Sequence, residues 1–322
     1  MAEGRANETV TAVPGVRVGH SESPDGRSGV TVLLFDGASP TAVDVRGGAS
    51  CTYDTASLAP DATFGRRWAI FFSGGSVFGL DAARGVRARV LEDGGGHAAF
   101  GNPNRVAPIS GATLFDLPRR RTPLPDYLPL GYDAARIASR AAAADGRRGA
   151  GAGATVGKYL GRAHASPGGV ASAAARLSPG IWVGALVVLN AVGAIRDPAS
   201  GRWVAGARDG RGHVVPPDPL RRPPNRASSP TRGTTLVSIV TNAPVDRRTL
   251  QRVAVGAHTG MSRSILPVHT ATDGDVVFAS ATGAERRSPR ERYPGAAGDA
   301  LGTLAGELVV EAVLRAARAS RA

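Results

Sequence analysis

Lysine is nearly missing from this chain: of 39 basic residues among 322, Lys158 alone is not arginine. A guanidinium keeps its proton at any ordinary pH, whereas burial shifts an ammonium toward neutrality, so the retained lysine marks a candidate functional position. Cysteine is as scarce. Cys51 stands alone, which excludes an intramolecular disulfide and any cysteine-built metal cluster. The six histidines are scattered; His258 and His269 are eleven positions apart on different expected elements, so packing or surface roles are expected for them, with no metal and no organic cofactor. Long apolar runs are also lacking. The longest, Ile181 to Ile195, is broken by Gly184, Asn190 and Gly193, which excludes a membrane-spanning helix, and the first eight residues carry no signal-peptide core. A cytoplasmic protein with no membrane partner is the expectation.

Aromatic residues make up only 5%, and none interleaves the basic clusters Arg119-Arg120-Arg121, Arg221-Arg222 and Arg286-Arg287 as a single-strand binding platform requires. The net charge of +13 therefore reads as scattered surface arginine. No helix-turn-helix, zinc-finger or RNA-recognition signature accompanies it. A basic, non-enzymatic nucleic-acid-binding protein is the rival reading, and no nucleic-acid partner is expected.

What is present is ample apolar content, 42%, enough for a single domain over residues 1–322. The densest chemistry lies at Gly233-Thr234-Thr235, where a small residue and a hydroxyl residue open the run Leu236-Val237-Ser238-Ile239-Val240-Thr241-Asn242. Such an apolar and β-branched run reads as a strand buried in a sheet. Upstream, six prolines among the eighteen residues 215–232 exclude helix and sheet interior, giving an exposed linker over about 208–232. A linker feeding a buried strand that opens with Thr suggests a chain cut there, with Thr234 as the new N-terminus; a plain connection is the alternative.

Elsewhere, 10–20 reads as an extended entry with a Pro14-Gly15 turn. Strands are expected at 29–35 and 41–46, pairing as a hairpin about Asp36-Gly37, then at 68–72, 181–189 and 276–279, with a return through 194–197 and 202–204. Helices are expected at 80–91, 133–144, 247–258 with Asp246 as cap, and 299–319. The glycine-rich stretch Gly151 to Lys158 fails as a nucleotide loop because Ala152 and Tyr159 occupy its glycine and hydroxyl positions. Gly74-Gly75-Ser76-Val77-Phe78 misses a hydrolase elbow at its last position. Strands and helices mix without strict alternation, so the fold class is α/β of the α+β kind, a layered sandwich.

Five ordered blocks carry a resemblance: Val13-Pro14-Gly15-Val16-Arg17-Val18-Gly19-His20, Asp44-Val45-Arg46-Gly47-Gly48, Ser73 to Ala82, Thr234 to Asn242, and Pro267 to Asp275. With them the sequence resembles the self-processing DmpA/NylC family of N-terminal-nucleophile amidohydrolases, which includes β-peptidyl and D-aminopeptidases and nylon-oligomer hydrolases. The resemblance implies an αββα sandwich and self-cleavage at Gly233–Thr234 into an α chain, 1–233, and a β chain, 234–322, that stay associated. It makes Thr234 the nucleophile, its freed α-amine the base, Lys158 the active-site lysine, Asn190 an oxyanion donor, and Asp273 and Asp275 the acids that orient the nucleophile. Phe78 stands where some relatives carry a substrate-contacting tyrosine, and Gly233 where many carry Asn. Asp54 is a candidate anchor for a substrate amine. The implied activity is hydrolysis of short peptides or unusual amides, an aminopeptidase first and a 6-aminohexanoate (nylon) oligomer hydrolase next. Acyl transfer to an amine, as in the related ornithine acetyltransferases, is a further alternative. Relatives form multimers, so a homo-oligomer is expected.

Overall fold

The computed structural model describes residues 7–99, 101–117, 122–218, 232–283 and 295–320. Among these, nine strands form one continuous hydrogen-bonded system: β1 (Val16–Glu22), β2 (Gly29–Val45), β3 (Cys51–Tyr53), β4 (Arg66–Ser73), β5 (Ile109–Thr113), β6 (Gly169–Ser178), β7 (Ile181–Asn190), β8 (Thr234–Thr241) and β9 (Val276–Ala281). Their order is β6-β7-β8-β9-β2-β4-β5-β3, with β1 also paired to β2. The β8/β9 and β4/β5 pairs are parallel and the remaining pairs antiparallel. Four helices complete the frame: α1 (Ala82–Glu92), α2 (Tyr127–Arg136), α3 (Arg247–Ser264) and α4 (Gly295–Ala319).

Side-chain alternation turns this ribbon into four layers. Along β4, Ala69 and Phe71 face a core shared with α1 and α2, while Ile70 and Phe72 face the second sheet. Along β8, Leu236 and Val240 face that same inter-sheet core, and Val237 and Ile239 face α3 and α4. Strands that bury both faces have no polar alternation, which is why β8 reads as a largely apolar, β-branched run interrupted only by Ser238 between Leu236 and Val240. Helix pair, sheet, sheet, helix pair is the αββα sandwich. Each fully buried Leu or Phe side chain contributes about 1.5–3 kcal/mol to it. The α3–α4 contact is close because small residues line it: a Cβ on Gly260 would lie 2.2 Å from the Gly306 carbonyl oxygen. The alanine-rich α4 thus packs on α3 and on the core beneath β6 and β7.

Two expectations are corrected. Residues 29–46 are not a hairpin. β2 is one seventeen-residue strand whose first half pairs with β1 and β4 and whose second half pairs with β9. The Asp36-Gly37 signal marks the bend where it passes from one sheet to the other, at a register shift between Leu34 and Ser39. The helix placed at 133–144 lies earlier, at 127–136, capped by Asp126, whose side chain accepts from the Leu128 N–H. Past Arg136 the chain leaves the helix so that Ser139 can exchange backbone bonds with Val18 of β1, a tertiary contact that overrides alanine propensity. Asp246 caps α3 as expected, accepting from Thr249 N–H at 2.9 Å, but the helix runs on to Ser264. Of the linker at 208–232, residues 219–231 lie outside the described residues, while Arg208 and Val214 form an isolated bridge.

Candidate active site at the head of β8

Three strand ends meet at one point. Register pairs Asn190, the last residue of β7, with Thr234, the first of β8. Asp275 precedes β9, and its Oδ1 accepts from the Thr235 N–H at 2.7 Å. Thr234 shares the strand parity of Leu236 and Val240, so its hydroxyl faces the space between the sheets. Thr234 is 4% exposed, Lys158 2%, Asp273 and Asp275 1% each, and Asn190 fully buried. Polar groups at that depth persist only when hydrogen bonded.

Lys158 sits on a short 3-10 turn after Gly157, which adopts the left-handed conformation and leaves no room for a side chain against Ala207. Its Nζ donates to the Asn190 carbonyl at 2.8 Å, to Asn190 Oδ1 at 2.7 Å and to the Arg232 carbonyl at 3.1 Å. Three acceptors match the three hydrogens of an ammonium. Burial nevertheless pulls its pKa from 10.5 down to about 7, against the opposing pull of Asp273. Arg162 and Asp116, both charge neighbours of Lys158, line a cavity of about 480 Å³. Asn190 Oδ1 also accepts from the Thr155 N–H at 3.0 Å, and its Nδ2 makes a long 3.4 Å contact to the Phe115 carbonyl.

The Gly233–Thr234 peptide is held from several sides. The Thr234 hydroxyl donates to the Gly233 carbonyl oxygen, and the same oxygen accepts from the Gly274 N–H at 3.0 Å. The Gly233 N–H donates to the Thr272 carbonyl at 3.2 Å. Asp273 Oδ1 accepts from Val192 N–H at 3.2 Å, and its Oδ2 accepts from the Thr270 hydroxyl at 2.6 Å. Burial, with the Asp275 carboxylate beside it, raises the Asp273 pKa. The block Arg46-Gly47-Gly48 clamps this turn: the Arg46 and Gly47 N–H groups donate to the Asp275 carbonyl at 3.0 and 3.2 Å. A Cβ on Gly47 would lie 2.3 Å from both Asp273 O and Asp275 N. Gly233 is not in a positive-φ conformation. Close approach calls for glycine there: a Cβ on Gly233 would lie 2.3 Å from Asp273 Oδ1 and 2.4 Å from the Val192 nitrogen.

The structure thus joins Thr234, Lys158, Asn190, Asp273 and Asp275 in one network. Among the described residues, no hydrogen bond or ion pair joins Phe78 or Asp54 to it. Phe78 is half exposed on the 3-10 turn Ser76–Asp81. Asp54 bonds the buried Arg67 at 3.2 Å and the Ser57 hydroxyl at 2.5 Å. Sequence reasoning missed other parts of the network. Phe115 lies under the Arg232 guanidinium, 5.4 Å from ring centroid to carbon. His269, at φ +56°, gives both its backbone N–H and its Nδ1 to Asp275 Oδ2 at 2.9 Å. His258 meets it edge to face at 4.7 Å between centroids, and burial followed by the His269 neighbour lowers the His258 pKa to about 4. The two histidines treated as unrelated are therefore adjacent. The His269-to-Asp275 spacing within one block was the available signal.

Solved structures with this architecture define its class. The chain superposes on a Burkholderia sp. beta-aminopeptidase with a TM-score of 0.67 at 23% identity, covering 96% of this chain and 86% of that one. It superposes on the L-aminopeptidase D-Ala-esterase/amidase of Ochrobactrum anthropi, described as a new variant among the Ntn hydrolase folds, with a TM-score of 0.65 at 19% identity, covering 96% and 85%. The fold is that of the N-terminal-nucleophile hydrolases. Sequence comparison narrows this further: Peptidase family S58 matches residues 8–322, and the chain belongs to that family. It is 36% identical over 335 residues to an uncharacterized aminopeptidase of Mycobacterium tuberculosis, covering 95% of this chain and 92% of the relative. It is 34% identical over 318 residues to a 6-aminohexanoate-oligomer endohydrolase of Kocuria sp. (strain KY2), covering 95% and 84%. The protein is an amidohydrolase of this family.

Proposed function

We propose that the chain severs its own Gly233–Thr234 bond and then hydrolyses amide bonds of short peptides or oligoamides with Thr234 as nucleophile. The observation that carries this reading is the Thr234 hydroxyl lying on the carbonyl of the peptide that precedes it, while a fixed N–H already holds that carbonyl oxygen at 3.0 Å. Oγ adds to the Gly233 carbonyl carbon, the C–N bond breaks, and the Thr234 nitrogen receives the proton that Oγ gives up. The product is an ester on Oγ and a free α-amine, and water then releases the Gly233 carboxylate.

In turnover that amine is the base. An ordinary α-amine titrates near pH 8; Lys158, whose pKa burial brings to about 7, is largely uncharged at that pH and acts through the bonds by which it holds Asn190 and the Arg232 carbonyl. Asp275 holds the head of β8 through Thr235, and Asp273 fixes the turn that carries Gly274. Asn190 Nδ2, whose one bond is long, is the group free to turn toward a substrate oxygen; a fixed donor of that kind is worth about 3 kcal/mol in the transition state. Asp54, engaged by Arg67, gains no support as an amine anchor. Denaturing mass spectrometry tests the reading. Two fragments split after residue 233 are expected from the native sequence and one intact, inactive chain from Thr234→Ala. Cutting in that variant, or an intact and inactive native chain, would sink it.

A further inference from the structure

Strand β9 stops just short of the head of β8. Their ladder begins at Leu236 and Val276, and beyond it the Asp275 side chain stands in for a strand partner, its Oδ1 accepting from the Thr235 N–H at 2.7 Å. In the precursor Thr234 has further ties through the residue before it. The Gly233 carbonyl oxygen accepts from the Gly274 N–H, and the Gly233 N–H donates to the Thr272 carbonyl. A cut after Gly233 removes both from the nucleophile, because both belong to Gly233. The head of β8 then keeps its pairing with β7 and the Asp275 bond, so whatever fixes Asp275 fixes the nucleophile.

The second oxygen of Asp275 is held by a single residue. His269 donates to Oδ2 from its backbone N–H and from ring Nδ1, each at 2.9 Å. An ionised carboxylate only accepts, so Nδ1 carries the hydrogen and Nε2 is the bare nitrogen of the neutral ring. That Nε2 is buried and has no hydrogen-bond partner among the described residues. The ring thus makes one hydrogen bond, and makes it to Asp275. His269 reaches this position at φ +56°, a region that few residues other than glycine adopt. Behind it stands the buried His258 ring, edge to face at 4.7 Å between centroids, with its own Nε2 on the Asp44 carbonyl at 3.2 Å. The His269 imidazole is therefore clamped between a carboxylate in front and a second imidazole behind.

We propose that His269 is a positioning residue of the hydrolase: through Nδ1 it holds the Asp275 carboxylate on the Thr235 N–H, and so keeps Thr234 in place once the bond to Gly233 is gone. The inference rests on the reading of Thr234 as nucleophile. It makes turnover depend on His269 more steeply than self-cleavage does, since the uncut peptide is held from Gly233 as well. Misplacing a reacting atom by about 1 Å costs on the order of a hundredfold in rate. Two substitutions separate the donor from the ring. Asparagine carries Nδ2 on Cγ as histidine carries Nδ1, accepts positive φ, and forgoes only the nitrogen that bonds nothing. Glycine accepts the backbone and has no donor.

The test follows self-cleavage by time-resolved mass spectrometry and, once cutting is complete, measures kcat and KM on a 6-aminohexanoate oligomer and on an aminoacyl 4-nitroanilide. Native protein, His269→Asn and His269→Gly are compared. His269→Asn is expected to stay within about threefold of native in cutting and in kcat, and His269→Gly to lose about tenfold or more in kcat at unchanged KM while its cutting slows less. A purely structural role for the ring would not be rescued by asparagine and would not split turnover from cutting. A His269→Gly enzyme whose kcat falls by less than this, or no further than its cutting rate, overturns the assignment, as does an asparagine variant no faster than the glycine one; the hydrolase stands in each case. If His269→Gly fails to fold, His269→Asn decides alone: kcat near the native value upholds the assignment and a larger loss overturns it. A native chain that hydrolyses neither probe overturns the Thr234 reading and this one with it.

Discussion

Lys158 offers a prediction in which the sign of a pH effect can be worked out. Its pKa is 10.5 as a free side chain and about 7 in the fold, with burial the main cause. Above pH 10.5 the lysine is neutral whether folded or not and contributes nothing to the pH dependence. Between pH 10.5 and 7 the unfolded chain binds a proton that the folded chain does not, so stability rises with pH across this window. Below pH 7 both forms are charged and the full penalty is present, about 5 kcal/mol at about 1.4 kcal/mol per pH unit. Lys158→Met removes the titration. It also leaves the Asn190 carbonyl, Asn190 Oδ1 and the Arg232 carbonyl without their donor, at about 1–3 kcal/mol each. That second loss does not depend on pH, so the slope isolates the first. The measurement is urea unfolding of Thr234→Ala against Thr234→Ala/Lys158→Met, a pair that keeps the chain uncut on both sides. The lysine-bearing protein should gain about 2 to 3 kcal/mol on its partner between pH 7 and pH 9. A difference that stays constant over that range would refute the buried, low-pKa lysine.

Two substitutions probe the support of the site and of the frame separately. Asp275→Asn replaces an acceptor of three N–H groups, Thr235 N, His269 N and His269 Nδ1, with an amide that must point a donor at one of them. A stability loss of about 1–3 kcal/mol and self-cleavage slowed at least tenfold are expected by denaturant melt and time-resolved mass spectrometry, and cutting at the native rate would count against it. Asp246→Ala removes the cap of α3, for which a loss of about 0.5–2 kcal/mol with native cutting is expected; a fall in cutting rate would show that α3 bears on the site more directly than its contacts indicate.

Particular residues show how much was legible in the sequence. The β8 strand was readable because burial on both faces leaves an apolar run that local composition alone reveals. Lys158 was readable because nothing else in the chain is lysine. The pairing of Asn190 with Thr234 was not, since 44 positions separate them and strand register over such a span is set by the whole sheet (234 − 190 = 44). Asp36-Gly37 has the composition of a hairpin turn, and only the different partners of the two halves of β2 distinguish a bend from a reversal. Residues 137–144 have the composition of a helix and lose it to one bridge with β1. His258 and His269 look unrelated in one dimension, and become neighbours because α3 packs beneath the turn that ends at Asp275.

The strand order has a consequence for what a cut at Gly233 would do to the molecule as a physical object. Strands β8 and β9, which follow the cut, are inserted side by side between β7 and β2, which precede it. The two pieces would interlock like the fingers of two hands, each closing a gap in the other. Releasing either means tearing out the middle of a sheet along two ladders at once. Unfolding of the precursor releases one chain where unfolding of the processed protein releases two, so the melting temperature should climb more steeply with concentration after the cut than it does for Thr234→Ala. Refolding from the separated pieces would need an encounter that the intact chain never has to make. Processing would therefore set the direction of time for this fold: made once as a single chain, then kept chiefly by the slowness of its undoing.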